Sequence, residues 1–323
     1  MKHLTLSSAI LLIACLSPAD IYGREKPVQT TGPGNTAEFT LTYDFTVPGD
    51  TSKIEFTVVV PHTIPDRQKI LIQYSPSPGK TFNENGNHYA VFVFNKPQKQ
   101  FKVEMNIKAE MFEYDLSTAK AKQNKSLSKG PSFESFLKNE KYIEKNDDRI
   151  RQVAKSIEGS TDLEMVEKIY NYVIDNMDYG QYNPEPIGAA EALKQKKGDC
   201  TEYAQLFVAL CRAKDIPARV VSGYITKFDV TPKHDWTEVY LKEFGWVPFD
   251  PTLGDVKSTS VRADLFQHLK PVYISCTHFI NDVVLNNNTN YWYRYWGDEV
   301  ELKSSIEFKK SPPSASNAAE QPQ

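Results

Sequence analysis

Apolar and polar residues alternate strictly at residues 39–47, near the start of the chain. Four more strand-like runs follow at 54–60, 69–74, 89–94 and 101–107, with Pro, Gly and Asn between the runs. A strand with this period buries one face and needs a second layer to cover it. Residues 37–116 are therefore predicted to form an antiparallel β-sandwich domain.

The hydrophobic period becomes helical further along the chain. A charged, Ser-rich and Lys-rich stretch at 117–130 has no period and is predicted to be a linker. Residues 147–157 and 162–177 place apolar residues at helical spacing, and Thr161 is expected to cap the second helix. Residues 131–310 are assigned to a second domain.

Further strands are expected at the end of this second domain. Strand-like runs occupy 272–274, 279–285 and 290–300, with an Asn-rich turn at 286–288. The aromatic run at 291–296 fits a hairpin packed on the core, or a surface that binds sugar or peptide. We favour packing.

The N-terminal residues are typical of an exported protein. Residues 1–23 combine a basic start with a short apolar run, which predicts a secretory signal peptide. Because Cys15 follows Leu-Ile-Ala, a lipoprotein with a lipid anchor at Cys15 is the alternative. The expected location is secreted or periplasmic, or anchored at the membrane. No other run is long enough to cross a bilayer. Residues 24–36 are predicted to be a flexible segment and 311–323 a disordered tail.

Charge and length limit the partners and the size of the fold. A chain of 323 residues can hold two domains with sizeable cores. Its formal charge is −3, and its Lys and Arg residues are dispersed, so no nucleic-acid partner is expected.

A cysteine begins one of the predicted helices. Cys200 follows Gly198-Asp199 and precedes an apolar helical pattern at 201–212. The N-terminus of a helix favours the thiolate, which is the nucleophilic form of cysteine. Cys211 lies within the apolar stripe and is predicted to be an inert core residue.

His234 and Asp250 are the candidate base and acid for this nucleophile. His234 lies on a predicted strand, and alternation places Trp236 beside it, where the indole limits its contact with water. Asp250 ends a short apolar strand. It is expected either to bind the imidazole Nδ1–H or to form the turn before Pro251.

Four blocks around these residues resemble the transglutaminase-like superfamily. They are the segments 198–204, 216–224, 234–240 and 246–252, in this order. The resemblance, to exported bacterial members of the cysteine protease type, implies a papain-like fold with Cys200, His234 and Asp250 as a catalytic triad. Asp235 departs from many members, which have a small residue there, and is expected to point away from the triad.

The expected architecture is α+β. An N-terminal antiparallel β-sandwich precedes a papain-like transglutaminase core, in which the helix that carries the cysteine packs on an antiparallel sheet. Without the leader, Cys200, Cys211 and Cys276 remain. Cys200 and Cys211 are about 16 Å apart along one helix, too far for a disulfide. No metal-ligand spacing is present, so neither a metal nor another cofactor is expected.

The triad predicts acyl transfer through a thioester on Cys200. The expected partner is a protein or peptide substrate, with water as the acceptor in a cysteine peptidase or amidase. A lysine amine as acceptor would make the enzyme a cross-linking transglutaminase. A non-catalytic scaffold that binds peptide or cell wall is the third alternative. Tyr179 is the candidate second oxyanion donor, or it simply packs, and Trp236 is a candidate for the substrate cleft.

Overall fold

The structure, a computed structural model, describes residues 35–119, 133–226 and 233–309. The predicted signal peptide with Cys15 and the C-terminal tail lie outside these residues, as do most of the 24–36 segment and of the 117–130 linker. Within the described ranges no helix is long and apolar enough to cross a membrane.

The described residues form sixteen β-strands and five α-helices. The strands are β1 (Asn35–Thr46), β2 (Thr51–Val60), β3 (Gln68–Ser75), β4 (Lys80–Glu84), β5 (Asn87–Asn95), β6 (Gln100–Met111), β7 (Tyr114–Asp115), β8 (Asp178–Tyr179), β9 (Lys197–Gly198), β10 (Ala218–Ile225), β11 (Lys233–Leu241), β12 (Gly245–Phe249), β13 (His268–Leu269), β14 (Tyr273–Thr277), β15 (Tyr291–Gly297) and β16 (Glu301–Phe308). The α-helices are α1 (Asp148–Ser156), α2 (Asp162–Asn176), α3 (Ala189–Gln195), α4 (Cys200–Ala213) and α5 (Thr259–Gln267).

The alternating N-terminal segments form the predicted β-sandwich. One sheet has the order β16-β1-β6-β3 and the other the order β15-β2-β5-β4. The inward residues include Phe39 and Phe45 on β1 and Phe56 and Phe92 on the facing sheet, each no more than 2 % exposed. Burial of these rings removes a large apolar area from water and holds the two sheets together. Strand β4 is an addition to the five predicted strands.

The last two strands complete this sandwich, which corrects the predicted boundaries. β16 pairs antiparallel with β1, from Phe39 opposite Phe308 to Thr46 opposite Glu301. β15 pairs with β2 in the other sheet. The assignment of residues 131–310 to the second domain is therefore wrong for β15 and β16, and they do not form the expected hairpin. Alternation shows that a segment is a strand but does not show which strand it pairs with.

The second domain surrounds helix α4, as expected for a helix on an antiparallel sheet. The sheet has the order β12-β11-β10-β14, and α4 packs against β10 and β11. Helices α1, α2 and α3 pack on α4 from the other side. Almost every side chain of α4 is buried, Leu206, Phe207 and Leu210 completely, so this helix is the centre of the domain core.

One predicted strand of this domain is absent. Residues 279–285 form a loop that ends in a short 3₁₀ turn, Val283–Leu285. Asp282 caps this turn through a hydrogen bond from the Val284 N–H. The Asn-rich turn is confirmed, because Asn286 and Asn287 both adopt left-handed backbone conformations. The local hydrogen bond to Asp282 thus stabilises a turn where the apolar residues of this segment had predicted a strand.

Strand β14 lies where the two domains meet. Gln68 on β3 donates to the Ser275 carbonyl oxygen and accepts from the Ser275 N–H, at 2.9 and 2.7 Å. Ile274 is fully buried in the sandwich core, and Tyr224 on β10 packs against Phe39 with ring centroids 5.5 Å apart. The sandwich is therefore in direct contact with two strands of the second domain.

Candidate active site

Cys200 is the first residue of helix α4, and a capping box holds it there. The Asp199 carboxylate accepts from the Thr201 N–H, and the Glu202 carboxylate accepts from the Asp199 N–H. Asp199 and Glu202 are buried, whereas Cys200 is half-buried. The reciprocal caps satisfy the unpaired N–H groups of the first turn and fix the position from which the sulfur projects.

His234 and Asp250 form a buried hydrogen-bonded pair. His234 lies on β11 and Asp250 directly follows β12, and these two strands are neighbours in the sheet. His234 Nε2 is 2.7 Å from Asp250 Oδ2. The pair therefore uses Nε2, and the expectation that Asp250 binds Nδ1–H is wrong. Nδ1 is the nitrogen left for proton exchange.

Asp250 combines the two roles that the sequence left as alternatives. Its Oδ1 accepts from the N–H groups of Thr252 and Leu253, at 2.9 and 3.0 Å, which closes the turn after β12. Its Oδ2 faces His234. The turn thus holds the carboxylate in a fixed orientation toward the imidazole.

Tyr273 on β14 is a member of the site that sequence reasoning missed. Its hydroxyl donates to Asp250 Oδ2 at 2.7 Å, the same oxygen that pairs with His234. The Trp236 ring lies nearly parallel to His234, with centroids 6.2 Å apart, and meets Tyr273 edge-on at 5.1 Å. The two aromatic rings and the carboxylate restrict the imidazole to one orientation.

The helix that begins with Cys200 contacts β11 directly after His234. Thr201 Oγ1 donates to Asp235 Oδ2 at 2.9 Å. Asp235 was expected to point away from the triad without affecting it. The structure places its carboxylate against the first turn of α4, a contact that this expectation did not include. The start of the helix that carries Cys200 thus lies next to the strand that carries His234.

Acidic neighbours set the charge state of this region. Burial, followed by the charges of Asp199 and Asp235, raises the pKa of the Cys200 thiol well above its ordinary value. This effect opposes the stabilisation of the thiolate expected at a helix N-terminus. Burial alone would lower the pKa of His234, but the charge and hydrogen bond of Asp250, together with the charges of Asp235 and Asp199, outweigh burial, and the pKa is raised. Burial, with a contribution from Asp199, raises the pKa of Glu202 to about 7.

The two remaining predicted site residues have structural contacts. Tyr179 on β8 packs against Tyr203 of α4 with ring centroids 6.1 Å apart. Tyr179 lies opposite Gly198 in the β8–β9 pair, and Gly198 is two residues before Cys200. The role of Tyr179 as an oxyanion donor stays a prediction. Trp236 is only 2 % exposed, which argues against the predicted place in a substrate cleft. Its buried ring packs against the His234 imidazole.

A family model described as the transglutaminase-like superfamily matches residues 151–251. This segment is a transglutaminase-like domain. It contains Cys200, His234 and Asp250. The four sequence blocks therefore identified the superfamily correctly.

A solved structure has the same fold over most of the chain. It is described as "a Putative Cysteine Protease from Cytophaga hutchinsonii", with a TM-score of 0.53 and 19 % identity, and the match covers 87 % of this chain and 93 % of that one. At this identity the likeness concerns the fold alone. It extends beyond the transglutaminase-like domain into the sandwich.

Relatives in sequence match mainly within the transglutaminase-like domain. The uncharacterized protein YebA of Bacillus subtilis is 38 % identical over 73 residues, which cover 18 % of this chain and 10 % of that protein. An amidase of Drosophila melanogaster, named peptide-N(4)-(N-acetyl-beta-glucosaminyl)asparagine amidase, is 42 % identical over 70 residues, 21 % of this chain and 10 % of the amidase. An uncharacterized Haemophilus influenzae protein is 25 % identical over 253 residues, covering 66 % of this chain and 68 % of that protein. The chain thus spans about a tenth of the length of the first two.

Proposed function

We propose that the protein is an exported cysteine amide hydrolase that uses Cys200, His234 and Asp250 to cleave a peptide or side-chain amide. The observation that carries the proposal is the buried 2.7 Å pair of His234 Nε2 with Asp250 Oδ2, next to the helix that begins with Cys200. A histidine fixed through one nitrogen can exchange a proton through the other. Export rests on the signal-peptide pattern at residues 1–23.

The reaction has two symmetrical halves. His234 Nδ1 accepts the Cys200 proton as the sulfur attacks the amide carbon, and the carbonyl oxygen becomes an oxyanion. Collapse of this intermediate breaks the C–N bond, and the amine leaves with the proton from His234. Water then attacks the thioester while His234 takes its proton, and Cys200 recovers that proton as the acid is released. The Cys200 N–H, at the start of α4, is one donor for the oxyanion.

The charges around the site determine when the proton moves. Because the pKa of Cys200 is raised, the resting nucleophile is the thiol, and His234 acts as a general base in the attack itself. The imidazole must be neutral to do so. Because the pKa of His234 is also raised, the neutral imidazole accumulates at a higher pH than it would in an ordinary histidine.

The acceptor of the acyl group separates this proposal from its nearest alternative. The amidase of Drosophila melanogaster is named for amide cleavage. A Pseudomonas aeruginosa relative, 36 % identical over 70 residues, is named protein-glutamine gamma-glutamyltransferase, and its match covers 18 % of this chain and 10 % of that protein. Both names are compatible with a thioester on the cysteine. We favour water because no feature of this sequence marks a site for a lysine acceptor.

A peptide library incubated with a primary amine tests the proposal. We expect hydrolysed products from the wild-type protein, none from Cys200→Ala, and unchanged turnover from Cys211→Ala, which removes a buried cysteine of the same helix. Turnover by Cys200→Ala would refute the mechanism. Exclusive incorporation of the amine would favour the cross-linking enzyme. Binding without turnover by the wild-type protein would favour the scaffold.

A further inference from the structure

Asp235 links the nucleophile helix to the histidine strand. Its carboxylate accepts a hydrogen bond from Thr201 Oγ1 at 2.9 Å, across 34 residues of sequence. Ser222 lies opposite Asp235 on the neighbouring strand β10. The hydrogen bond from Thr201 therefore orients the Asp235 side chain toward α4.

The start of β11 is open toward helix α4. β12 ends at Phe249, which lies opposite Thr237, so β12 does not pair with the first residues of β11. In this uncovered part of β11, a backbone hydrogen bond from Asp235 is one of the causes that lower the pKa of the Cys200 thiol, against the burial that raises it. The Asp235 side chain meanwhile binds Thr201, the residue that follows Cys200.

We propose that Asp235 is a positioning residue for Cys200, which anchors the first turn of α4 to the strand that carries His234 through its hydrogen bond with Thr201. This inference rests on the proposed function only in taking Cys200 as the nucleophile. The anchor matters because a displacement of about 1 Å between a nucleophile and its base costs on the order of 100-fold in rate.

The side chain and the backbone of Asp235 act on the thiol in opposite directions. The carboxylate charge disfavours the thiolate, whereas the backbone hydrogen bond favours it. Asp235→Asn removes the charge and leaves an amide oxygen that still accepts from Thr201. Thr201→Val keeps the charge and removes the donor that ties α4 to Asp235. If Asp235 only stabilised the fold, the two variants would shift the pH midpoint of Cys200 alkylation in the same direction.

The test is the pH dependence of iodoacetamide alkylation, followed by mass spectrometry on the peptide that contains Cys200. In this reaction the thiolate displaces iodide, and no substrate is needed. For Asp235→Asn we expect a midpoint lower by about 0.5 to 1 pH unit. For Thr201→Val we expect a higher midpoint and a kcat reduced by about 10-fold or more at similar KM. Thr201→Ser, which restores a hydroxyl, should return both to the wild-type values, and Asp44→Asn, at an exposed position of β1, should change neither.

Each outcome decides the proposal. Midpoints that stay unchanged, or that move together in Asp235→Asn and Thr201→Val, would overturn it, as would a failure of Thr201→Ser to restore them. If Asp235→Asn does not fold, the Val and Ser variants of Thr201 still test the anchor. If the alkylation midpoints shift as expected but no amide is hydrolysed, the proposed function fails and the role of Asp235 stands.

Discussion

Acid is expected to destabilise the contact between the sandwich and the transglutaminase-like domain, because three histidines there are held neutral. The rings of His62 and His88 are stacked at 4.0 Å, and His278 contacts the same region from the other domain. Burial lowers the pKa of His62 to about 4, and the charges of His88 and Arg219 act in the same direction, opposed in part by Glu238. Burial and Arg219 also place the pKa of His278 well below its ordinary value.

The sign and size of the effect follow from proton linkage. The unfolded chain binds a proton at His62 with a pKa of 6.5, and the folded chain with a pKa of about 4. Below 6.5 the unfolded state binds more protons, so stability is lost as the pH falls from 6.5 toward 4. Between pH 7.5 and 4.5 the loss is about 2.5 kcal/mol for a fully enclosed ring. We expect about 1 to 2 kcal/mol, because His62 is half-buried and water screens part of the effect.

Urea unfolding at pH 7.5 and 4.5, followed by fluorescence, measures this loss for the wild type and for His62→Phe. Phenylalanine keeps a ring against His88 and does not titrate. The difference between the unfolding free energies of the two proteins at pH 7.5 gives the part of the substitution's effect that does not depend on pH. The variant should lose about 1 to 2 kcal/mol less than the wild type on acidification. An equal loss in both proteins would show that His62 does not take up a proton on unfolding, and the reasoning would be refuted.

Two further predictions concern the support of the site and the closure of the fold. Tyr273→Phe removes a hydrogen bond to Asp250 and should lower kcat by about 10-fold, which corresponds to about 1.4 kcal/mol. With fewer donors the carboxylate interacts more strongly with His234, so the acidic limb of the pH–rate profile should move to higher pH, and an unmoved limb would contradict this role. Deletion from residue 289 to the C-terminus removes β15 and β16, exposes one edge of each sandwich sheet and should abolish soluble expression. Deletion of 310–323 alone is the control, and soluble protein from both deletions would show that the last two strands are dispensable.

The positions of Cys200, His234 and Asp250 in the fold could be predicted from sequence because their signals are local. Cys200 follows a capping residue and precedes a helical pattern, and both features lie within a few residues of it. His234 and Asp250 end up together because β11 and β12 are consecutive strands joined by a short turn. Consecutive strands usually pair, so neighbouring positions in sequence become neighbouring positions in the sheet.

Long-range partners could not be predicted in the same way. Tyr273 lies 23 residues after Asp250, and no local pattern indicates that its hydroxyl meets that carboxylate. The aromatic residues of β15 indicate a strand, but its partner β2 lies more than 200 residues earlier in the chain. Asp235 is a comparable case. Alternation predicts the face of β11 on which it lies, but not that the N-terminus of α4 is packed there.

The pairing of β15 and β16 with the sandwich changes what the sandwich does for the site. Ile274 on β14 is fully buried in the sandwich core, while the preceding residue, Tyr273, packs on Trp236 and donates to Asp250. Successive residues of a strand point to opposite faces, so a shift of Ile274 in the sandwich would also shift Tyr273 at the site. Gly223 on β10 lies very close to β14, since a Cβ at this position would be 2.1 Å from the Ile274 carbonyl oxygen. The two strands are therefore tightly packed here. The sandwich therefore takes part, through β14, in orienting the carboxylate that pairs with His234.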